Sequence, residues 1–538
     1  MIVLPPSHII AQPLTRALLD GAHDLDHRFP HRTITRELCT LRAKHGASRS
    51  RLRSLVQTSM RHLDLSQQQQ TALDQLSDQH SVVIATGQQV GLLGGPMYTL
   101  YKIASAASTA RDVYATHGIA AVPVFWLEDN DHDAAEASTT QLATSDTITS
   151  TTAWDGTEPR RPVSSRNHTA AECDVITSAL ATLGGQYAEG VQGRYGGVYR
   201  DGVAWTDAFL AVLQPYLSAW GVLVVRASDV LAHGLHSPIL VHEQSSVPTI
   251  SDALRRGTQV IIDAGFEPQA RPSDVAFFAR DTEGRQRITP EGNDVVIGSR
   301  RISRAELDNE LIAAPQHFSP TVLSRPLVQD AVLPTVASIL GAAEIAYHGQ
   351  LREAYELCGI PMPVPLLRHG ATLLDTRTER NIRKDSHDPS WYMRSVDAVE
   401  HEITASVAGL SVPDAASLST LVDALVAPYE SAAERIDSTL IATVRAQAAG
   451  IRATLEALEG KLRAAAKRTN ATTVDRLRAT HRTVSPGGTL QERVYPLAFW
   501  EARFGVDTIL QLVDRMCAEP LGSHSVIGIS DLPTSSPQ

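Results

Sequence analysis

The segment from Ser81 to Lys102 constrains the fold more than any other part of the chain. Its sequence, SVVIATGQQVGLLGGPMYTLYK, is a β-branched apolar run followed by glycines and then by an apolar and aromatic helical pattern. This order predicts a strand over 81–86, a glycine-rich turn and a helix over 97–115, which would point backbone N–H groups at an anion. The glycine spacing matches neither the P-loop nor the dinucleotide-binding fingerprint. The turn is therefore either an anion site of another kind or a tight structural turn.

The order of a strand followed by a helix recurs along the chain. Residues 120–126 form a second apolar run, and 221–225 and 260–262 read as later strands, each after a helical stretch. Apolar strands alternating with helices are typical of the α/β class with a parallel, doubly wound sheet. Residues 33–78 read as helical, and the Thr-, Gly- and Arg-rich stretch 139–200 reads as an inserted segment.

The C-terminal third has a different pattern. From Leu418 to Leu462, apolar or small residues recur at steps of three and four, which predicts long helices with a coiled-coil seam. Pro413 is expected to mark the start of these helices, and Pro428 a kink or break. The seam needs an antiparallel helix of the same chain or a second protomer, and we expect a homodimer. We therefore divide the chain into a core at 1–385, a coiled-coil domain at 386–480 and a C-terminal segment at 481–538 that returns to the core.

Composition restricts the classes of partner. The formal net charge of −11 argues against a general nucleic-acid or anionic-membrane binder. The four cysteines are widely spaced without a C-x-x-C pair, which predicts reduced thiols rather than a zinc site or a disulfide framework. The N-terminal sequence does not resemble a signal peptide, and no apolar run is long enough to span a membrane. We expect a cytoplasmic protein.

An acidic cluster follows the second predicted strand, in the sequence FWLEDNDHDAAE at 125–136. Ligands of open α/β sheets bind beyond the carboxyl ends of strands, so this cluster lies where a site is expected. It is not a calcium loop, because Ala134 and Thr140 stand where such a loop needs Gly and Glu. Three interpretations remain: a metal site of His132 with Asp131 or Asp133, acids that cap the next helix, or an Asp–His pair that binds an amine or removes its proton.

Polar residues also interrupt later apolar stretches. Arg325, between a serine and a proline, is either a clamp for a carboxylate or phosphate or an arginine that joins two loops. Glu344 and Tyr347 follow, Arg368 ends a strand-like run after PMP at 361–363, and QER at 491–493 lies beyond the coiled coil.

Together these blocks resemble the BshC family of bacillithiol biosynthesis, the cysteine-adding enzymes. The matching motifs run in family order from about residue 80 to 505 and are TGQQ at 86–89, GGP at 94–96, YxxYK at 98–102, FW at 125–126, DHD at 131–133, FSP at 318–320, RPL at 325–327, PMP at 361–363 and QER at 491–493. The chain departs from the family pattern at Asn130, Thr321, Ser324 and the pair Ala342-Ala343.

The resemblance implies a Rossmann-like core with inserted connecting segments and a long antiparallel coiled coil that mediates dimerisation. It also implies the last step of bacillithiol synthesis, in which cysteine is joined to the amine of glucosaminyl-malate. We expect Asp131, His132 and Asp133 to be catalytic, holding the ammonium and taking its proton, and Arg325 and Arg368 to clamp the malate carboxylates. No metal is assigned. The residues expected to bind substrate or nucleotide are Thr86, Gly87, Gln88, Gln89, Gly94, Gly95, Tyr98, Lys102, Trp126, Ser319, Arg325, Gln329, Glu344, Tyr347, Arg368, Gln491 and Arg493.

The cofactor is left open by the residues. A free carboxylate does not condense with an amine in water, so we hypothesise that ATP or another nucleotide activates cysteine, although no P-loop or adenylating signature marks the chain. The alternative is an activated cysteine donor made elsewhere. Two other functions stay open: a Rossmann-type nucleotide-sugar transferase, and a non-catalytic nucleotide-binding scaffold for the pathway.

Overall fold

The computed structural model contains two compact units, Met1–Asp375 with Gln491–Gln538 (the first unit) and Thr376–Leu490 (the second unit). Structure is described for residues 1–21, 23–143, 147–154, 156, 161–245, 248–281, 284–385, 388–399, 402, 415–469 and 471–532.

Within the described residues, every strand belongs to the first unit. They are β1 Ile2–Leu4, β2 Val82–Gln89, β3 Ala121–Glu128, β4 Thr139–Ala143, β5 Ile148–Thr152, β6 Leu223–Arg226, β7 Phe277–Asp281, β8 Gly284–Glu291, β9 Asp294–Ile297, β10 Arg300–Ser303, β11 Phe318–Pro320, β12 Thr335–Leu340, β13 Val364–Leu367, β14 Gly370–Leu374 and β15 His524–Gly528.

The helices of the first unit surround these strands. The α-helices are Pro6–Ile9, Pro13–Leu19, Arg36–Arg42, Arg49–Ser59, Gln67–Leu76, Met97–His117, Ala134–Ser138, Ala170–Ala181, Ala188–Val198, Trp205–Ala219, Ala227–Ala232, Ser237–Ser245, Ile250–Asp263, Arg304–Ala313, Arg325–Val332, Ala342–His348, Arg352–Leu357 and Leu497–Cys517. Shorter 3-10 helices are His23–Arg28, Leu92–Gly94, Val163–Ser165, Pro315–His317, Gln491–Arg493 and Ile529–Asp531.

The central sheet has five parallel strands in the order β13-β12-β2-β3-β6. This confirms the predicted α/β class with a Rossmann-like parallel sheet. The chain runs outward from β2 through β3 to β6 and then continues on the other side of β2 with β12 and β13. The order of strands therefore reverses between β2 and β12, and such a switch point leaves a crevice beyond the carboxyl ends of the strands.

Strand β2 is longer than predicted. The sequence predicted a turn from Gly87, but the strand continues to Gln89, because β3 offers ladder partners as far as Glu128. Gly87 pairs with Trp126 and Gln89 with Glu128. The two glutamines therefore lie at the end of a strand rather than in the turn, and their side chains point to opposite faces of the sheet.

The predicted strand at 260–262 is wrong. These residues end the helix Ile250–Asp263, whose buried positions include Ala253, Leu254 and Ile261 at helical spacing. Ile262, next to the buried Ile261, is 45% exposed, as the outer face of an amphipathic helix requires. The predicted strand at 221–225 is confirmed by β6, and the helical region at 33–78 by three helices.

A second five-stranded sheet, in the order β10-β9-β8-β7-β11, is antiparallel. Its sequence lies between the helix Ile250–Asp263 and β12, so it is inserted into the succession of parallel strands. We call it the inserted sheet. A third sheet, β1-β15-β14, joins segments from both ends of the chain, and β4 and β5 form a hairpin within the stretch 139–200.

The second unit is helical, with α-helices Thr376–Asp385, Ala415–Ile436, Leu440–Thr469 and Ala471–Val484 and 3-10 helices Pro389–Met393 and Pro486–Gly488. Ala415–Ile436 and Leu440–Thr469 pack together as a hairpin, which confirms the predicted coiled coil. Two ion pairs, Arg445–Glu430 and Arg452–Asp423, show that the two helices are antiparallel. Arg452 lies seven residues after Arg445, whereas its partner Asp423 lies seven residues before Glu430.

Pro428 does not break the coiled coil, since the helix Ala415–Ile436 continues through it. Pro413 lies outside the described residues. Among the described residues, no helix combines the length and the apolar character that a membrane span requires.

Candidate functional site

A cleft of about 440 Å³ lies at the carboxyl ends of the parallel strands. Its position is the switch point between β2 and β12, where the topology leaves a crevice. It is lined by Gly87, Gln88, Gln89, Glu128, Asp131, Arg271, Ser273, Phe278, Arg285, Arg287, Pro320, Thr321, Val322, Arg325, Glu344 and Tyr347. This lining combines arginines with carboxylates, so the cleft presents both signs of charge to a ligand.

Gly87 makes room for Arg325. A Cβ atom at Gly87 would lie 3.4 Å from Arg325 Nη1, so the guanidinium packs directly on the strand backbone. Arg325 also donates hydrogen bonds to Gln329 Oε1 at 3.2 Å and to the Tyr347 hydroxyl at 3.1 Å. These hydrogen-bond partners are neutral, while the carboxylates of Glu128 and Glu344 act on the guanidinium through space. Among the described residues no carboxylate is hydrogen-bonded to Arg325, so its guanidinium can bind an anionic group in the cleft.

Lys102 is a buried structural cation beneath the cleft. Its ammonium group donates to the Gly87 carbonyl at 2.8 Å and to Gln88 Oε1 at 3.0 Å, and it lies 2.5 Å from Glu344 Oε2. Burial lowers the pKa of Lys102, while the adjacent Glu344 acts in the opposite direction. For Glu344, burial acts to raise the pKa, but Lys102 and the Gly341 N–H outweigh it and the pKa is lowered. Lys102 thus ties the end of β2 to the helix Ala342–His348.

Two carboxylates follow β3 into the cleft. Asp131 accepts a hydrogen bond from Gln89 Nε2 at 2.5 Å and one from the backbone N–H of His132 at 2.7 Å. Glu128 accepts a hydrogen bond from Trp126 Nε1 at 3.1 Å. Burial raises the pKa of the Glu128 carboxyl, and the opposing effect of Arg325 is smaller.

The inserted sheet covers the cleft from the other side. Arg285 of β8 packs over the Phe278 ring, with its guanidinium carbon 4.2 Å from the ring centroid. It donates to Ser319 Oγ at 3.1 Å and to the Pro320 carbonyl, and its Nη1 lies 3.6 Å from Asp131 Oδ1. The inserted sheet therefore brings a held cation opposite the carboxylates that follow β3.

The glycine turn lies beside the cleft and packs inside the protein. Gly94 and Gly95 have positive φ angles of 87° and 67°, and a Cβ atom at Gly94 would lie 2.8 Å from Leu497 Cβ. The backbone N–H of Leu93 donates to the Tyr199 hydroxyl at 2.9 Å, and that of Met97 donates to the Tyr495 carbonyl at 3.3 Å. Because these donors are engaged within the protein, the turn does not fit a nucleotide phosphate.

His132 and Asp133 lie in the loop after Asp131. His132 Nδ1 lies 3.3 Å from Asp131 Oδ1, and its side chain is 34% exposed. Asp133 accepts a hydrogen bond from the Glu136 N–H at 2.9 Å and so caps the helix Ala134–Ser138. Helix capping was one of the interpretations that the sequence left open for the acidic cluster, and Asp133 has this arrangement. A catalytic role for Asp133 stays a prediction.

Tyr98 connects the cleft to a second polar group. Its hydroxyl accepts a hydrogen bond from Gln88 Nε2 at 3.2 Å, and Arg368 and Arg493 lie 5.6 Å and 6.0 Å from its ring centroid. Arg368 forms a buried ion pair with Glu492. The guanidinium of Arg368 is thus neutralised by a carboxylate of the protein, unlike that of Arg325.

The remaining predicted residues support the site through hydrogen bonds. Thr86 donates to the Ile339 carbonyl at 2.9 Å and links β2 to β12. Gln491 bonds both the N–H and the carbonyl of Leu373, at 2.7 and 2.9 Å, which fixes it to β14. Ser319, Gln329 and Trp126 hold Arg285, Arg325 and Glu128 respectively, as described above.

Several cleft residues were not among those predicted, namely Glu128, Arg271, Phe278, Arg285 and Arg287. Glu128 is the last residue of β3, and its strand-end position is a signal that the sequence carried. The other four lie in or before the inserted sheet, where no motif marks them.

The described part of the chain contains no cluster of side chains that would support the metal-site interpretation of the acidic segment. No three His, Cys, Asp or Glu side chains there are grouped so that they would hold a metal ion.

The fold and the cleft define a class: a Rossmann-like α/β protein with a small-molecule cleft of mixed charge at its switch point and a coiled coil in a second unit. Two family models match the chain. The model for the bacillithiol biosynthesis BshC N-terminal Rossmann-like domain matches residues 6–369, and that for the BshC C-terminal coiled-coil domain matches residues 371–528. The chain belongs to the bacillithiol biosynthesis BshC family.

Relatives of similar length match along most of the chain, and each is named "Putative cysteine ligase BshC". The relative from Solibacter usitatus is 27% identical over 83% of this chain and 84% of its own length. That from Chlorobaculum tepidum is 26% identical over 90% of both chains. That from Salinibacter ruber is 25% identical over 93% of this chain and 92% of its own.

Proposed function

We propose that the protein is a ligase of bacillithiol biosynthesis that forms an amide bond between cysteine and the amine of glucosaminyl-malate in the last step, in the cytoplasm. The observation that carries the proposal is the charge pattern of the cleft. The guanidinium groups of Arg325 and Arg285, each fixed by hydrogen bonds, line the cleft. The carboxylates of Glu128 and Asp131 line the same cleft. The names of the relatives support the ligase class.

The substrate fits this pattern by its own charges. Glucosaminyl-malate carries two carboxylates at one end and an ammonium group at the other. Arg325 has neutral partners within the protein, so its guanidinium can take a carboxylate in bidentate geometry. Arg285 donates to backbone and serine oxygens and lies 3.6 Å from Asp131 Oδ1, without the direct hydrogen bond to a carboxylate that Arg368 makes with Glu492, and is the second candidate for the malate end. The expected clamp is therefore Arg325 with Arg285 rather than with Arg368, whose charge Glu492 already balances.

The ammonium group would lie against Asp131 and Glu128. Loss of its proton gives the free amine, which attacks the carbonyl carbon of an activated cysteinyl group; the bond to the leaving group breaks as the amide bond forms. The residues of the cleft bind and orient the amine and accept its proton. The activating co-reactant is not assigned to any residue of this chain.

We also propose that the protein is a homodimer through the coiled coil. On the helices Ala415–Ile436 and Leu440–Thr469, Leu425, Tyr429 and Leu458 are 60%, 65% and 52% exposed. A single hairpin thus leaves a row of large apolar side chains in water, which a second protomer would cover.

The test uses a strain from which the gene is deleted, with cellular thiols measured by mass spectrometry. Accumulation of glucosaminyl-malate with loss of bacillithiol is the expected result, and a deletion strain with normal bacillithiol would refute the proposal. Complementation with Arg325→Lys, which keeps the charge but removes the fork, should restore less than a tenth of the product. The matched control is Arg300→Lys, at a surface ion pair with Glu310, which should restore wild-type levels.

A further inference from the structure

Three carboxylates of the cleft differ in the number of hydrogen bonds that they already accept within the protein. Glu344 Oε2 receives the Lys102 ammonium and the Gly341 N–H. Asp131 receives Gln89 and the His132 N–H on its two oxygens. Glu128 receives the Trp126 indole N–H on one oxygen, and within the described residues no second donor reaches it. Glu128 is therefore the cleft carboxylate with the most capacity to accept a new proton or hydrogen bond.

From this geometry we infer that Glu128 is the general base of the reaction, taking the proton of the substrate ammonium, and that His132 is not. The inference rests on the proposed function. In this step an N–H bond of the ammonium breaks and an O–H bond forms on the free oxygen of Glu128. The electron pair left on nitrogen then attacks the activated cysteinyl carbon, and the bond to the leaving group breaks with its electrons going to that group. The second proton of the nitrogen goes to the departing group, which leaves a neutral amide.

The surroundings of Glu128 suit a base rather than a permanent ion pair. The charged or titratable groups that act on it come from different elements: Arg325, Arg285, Asp131 and Tyr347. No arginine hydrogen bond to Glu128 is formed within the described residues, so the carboxylate is not locked to a cation. Burial raises the pKa of Glu128. The pKa of the carboxyl therefore lies closer to the pKa of the substrate ammonium, which makes the proton transfer less unfavourable.

The indole of Trp126 orients the carboxylate. Trp126 is fully buried in β3, two residues before Glu128, so both side chains lie on the same face of the strand. Its N–H donates to one carboxylate oxygen of Glu128, a residue that lines the cleft. By contrast, the His132 imidazole is in the loop after Asp131, is partly exposed, and does not contribute to the cleft lining.

The experiment adds purified protein to extract of the deletion strain, which supplies whatever activates cysteine, together with glucosaminyl-malate and cysteine. Product formation is followed by mass spectrometry, and binding of glucosaminyl-malate is measured by calorimetry. Glu128→Gln should bind the substrate within threefold of wild type but form product at least 100-fold more slowly, as expected for loss of a general base. The rate of wild type should rise with pH through the ionisation of one carboxyl, and this limb should be absent in Glu128→Gln.

Three further variants keep the test decisive. Glu128→Asp retains a carboxylate and should form product faster than Glu128→Gln, which a purely structural role would not produce. Glu356→Gln is the surface control and should keep at least a third of the wild-type rate. His132→Ala is the comparison, and it should form product at least tenfold faster than Glu128→Gln. The inference is overturned if Glu128→Gln keeps its rate or if it loses binding instead of rate. If wild type itself forms no product in the extract, the proposed function fails, and this inference with it.

Discussion

Replacement of Lys102 by methionine should destabilise the first unit strongly. The ammonium group is buried and has three partners: the Gly87 carbonyl, Gln88 Oε1 and Glu344 Oε2. Methionine fills a similar volume but leaves Glu344 without its ion-pair partner, so that only the Gly341 N–H and the electrostatic effect of Arg325 stabilise its charge. Removing one partner of a buried ion pair costs about 3–5 kcal/mol. The folding equilibrium constant should therefore fall by about two to four orders of magnitude.

The assay is urea unfolding followed by tryptophan fluorescence, which reports mainly on the first unit because Trp391 is the only tryptophan of the sequence outside it. A double variant, Lys102→Met with Glu344→Gln, removes the uncompensated charge. It should be more stable than the single variant by at least ~1 kcal/mol, since charged neighbours couple by amounts of that order.

The pH dependence gives an independent check. In wild type the lowered pKa of Glu344 contributes stability above the carboxyl's ordinary pKa, and this contribution is lost as the pH falls through the lowered value. Without Lys102 the buried carboxyl protonates more readily, so the gap between variant and wild type should narrow at pH 4. A cost below about 1 kcal/mol, typical of a solvent-screened pair, would refute the reasoning, as would a double variant no more stable than the single one.

Two further predictions concern stability. Gly257→Ala should destabilise, because the new Cβ would lie 2.0 Å from the Gln350 carbonyl oxygen. Gly190→Ala, where a Cβ atom would meet open space in the helix Ala188–Val198, should stabilise by about 0.5–1 kcal/mol in the same unfolding assay. Burial raises the pKa of Asp129 to about 7 despite two hydrogen bonds from Ser228, so stability that is fully present below the carboxyl's ordinary pKa is lost as the pH rises towards 7. The free energy of unfolding should fall between pH 5 and pH 8, and Asp129→Asn should reduce that slope; a slope unchanged in the variant would contradict the assignment.

Three strands of the parallel sheet, β2, β3 and β6, were predictable because they are buried on both faces, whereas β12, equally buried, was not predicted. Such strands are continuous apolar runs, and the runs around Ile84, Val124 and Val224 were read correctly. The run at 260–262 has the same composition, but it is the end of an amphipathic helix. Three apolar residues do not distinguish the two structures, and the helical spacing of the preceding residues was the better signal.

The ends of the parallel strands predicted one part of the site, whereas Arg325, Glu344 and Tyr347, which also line the cleft, were predicted from polar residues within apolar stretches and from the family resemblance. Strand ends placed Gly87 and Asp131 at one edge of the sheet, and the structure brings both into the cleft. Arg285 reaches the same cleft because β7 pairs with β11, forty residues further along the chain, and no local pattern encodes that pairing. The role of Asp133 as a helix cap is local, and the sequence had left that interpretation open.

Two different sheets supply charged residues to the cleft, the parallel sheet and the inserted sheet, and this has a consequence for how the family can diversify. Glu128 belongs to a strand that the whole core depends on, so it changes only with difficulty. Arg285 and Phe278 belong to a sheet whose hydrogen-bond ladder is separate from the parallel one. Under the proposed function, mutations in the inserted sheet change the shape and charge around Arg285 while Glu128 and Asp131 stay in place. A related protein with such changes would bind a different acidic substituent and keep the proposed chemistry at the amine.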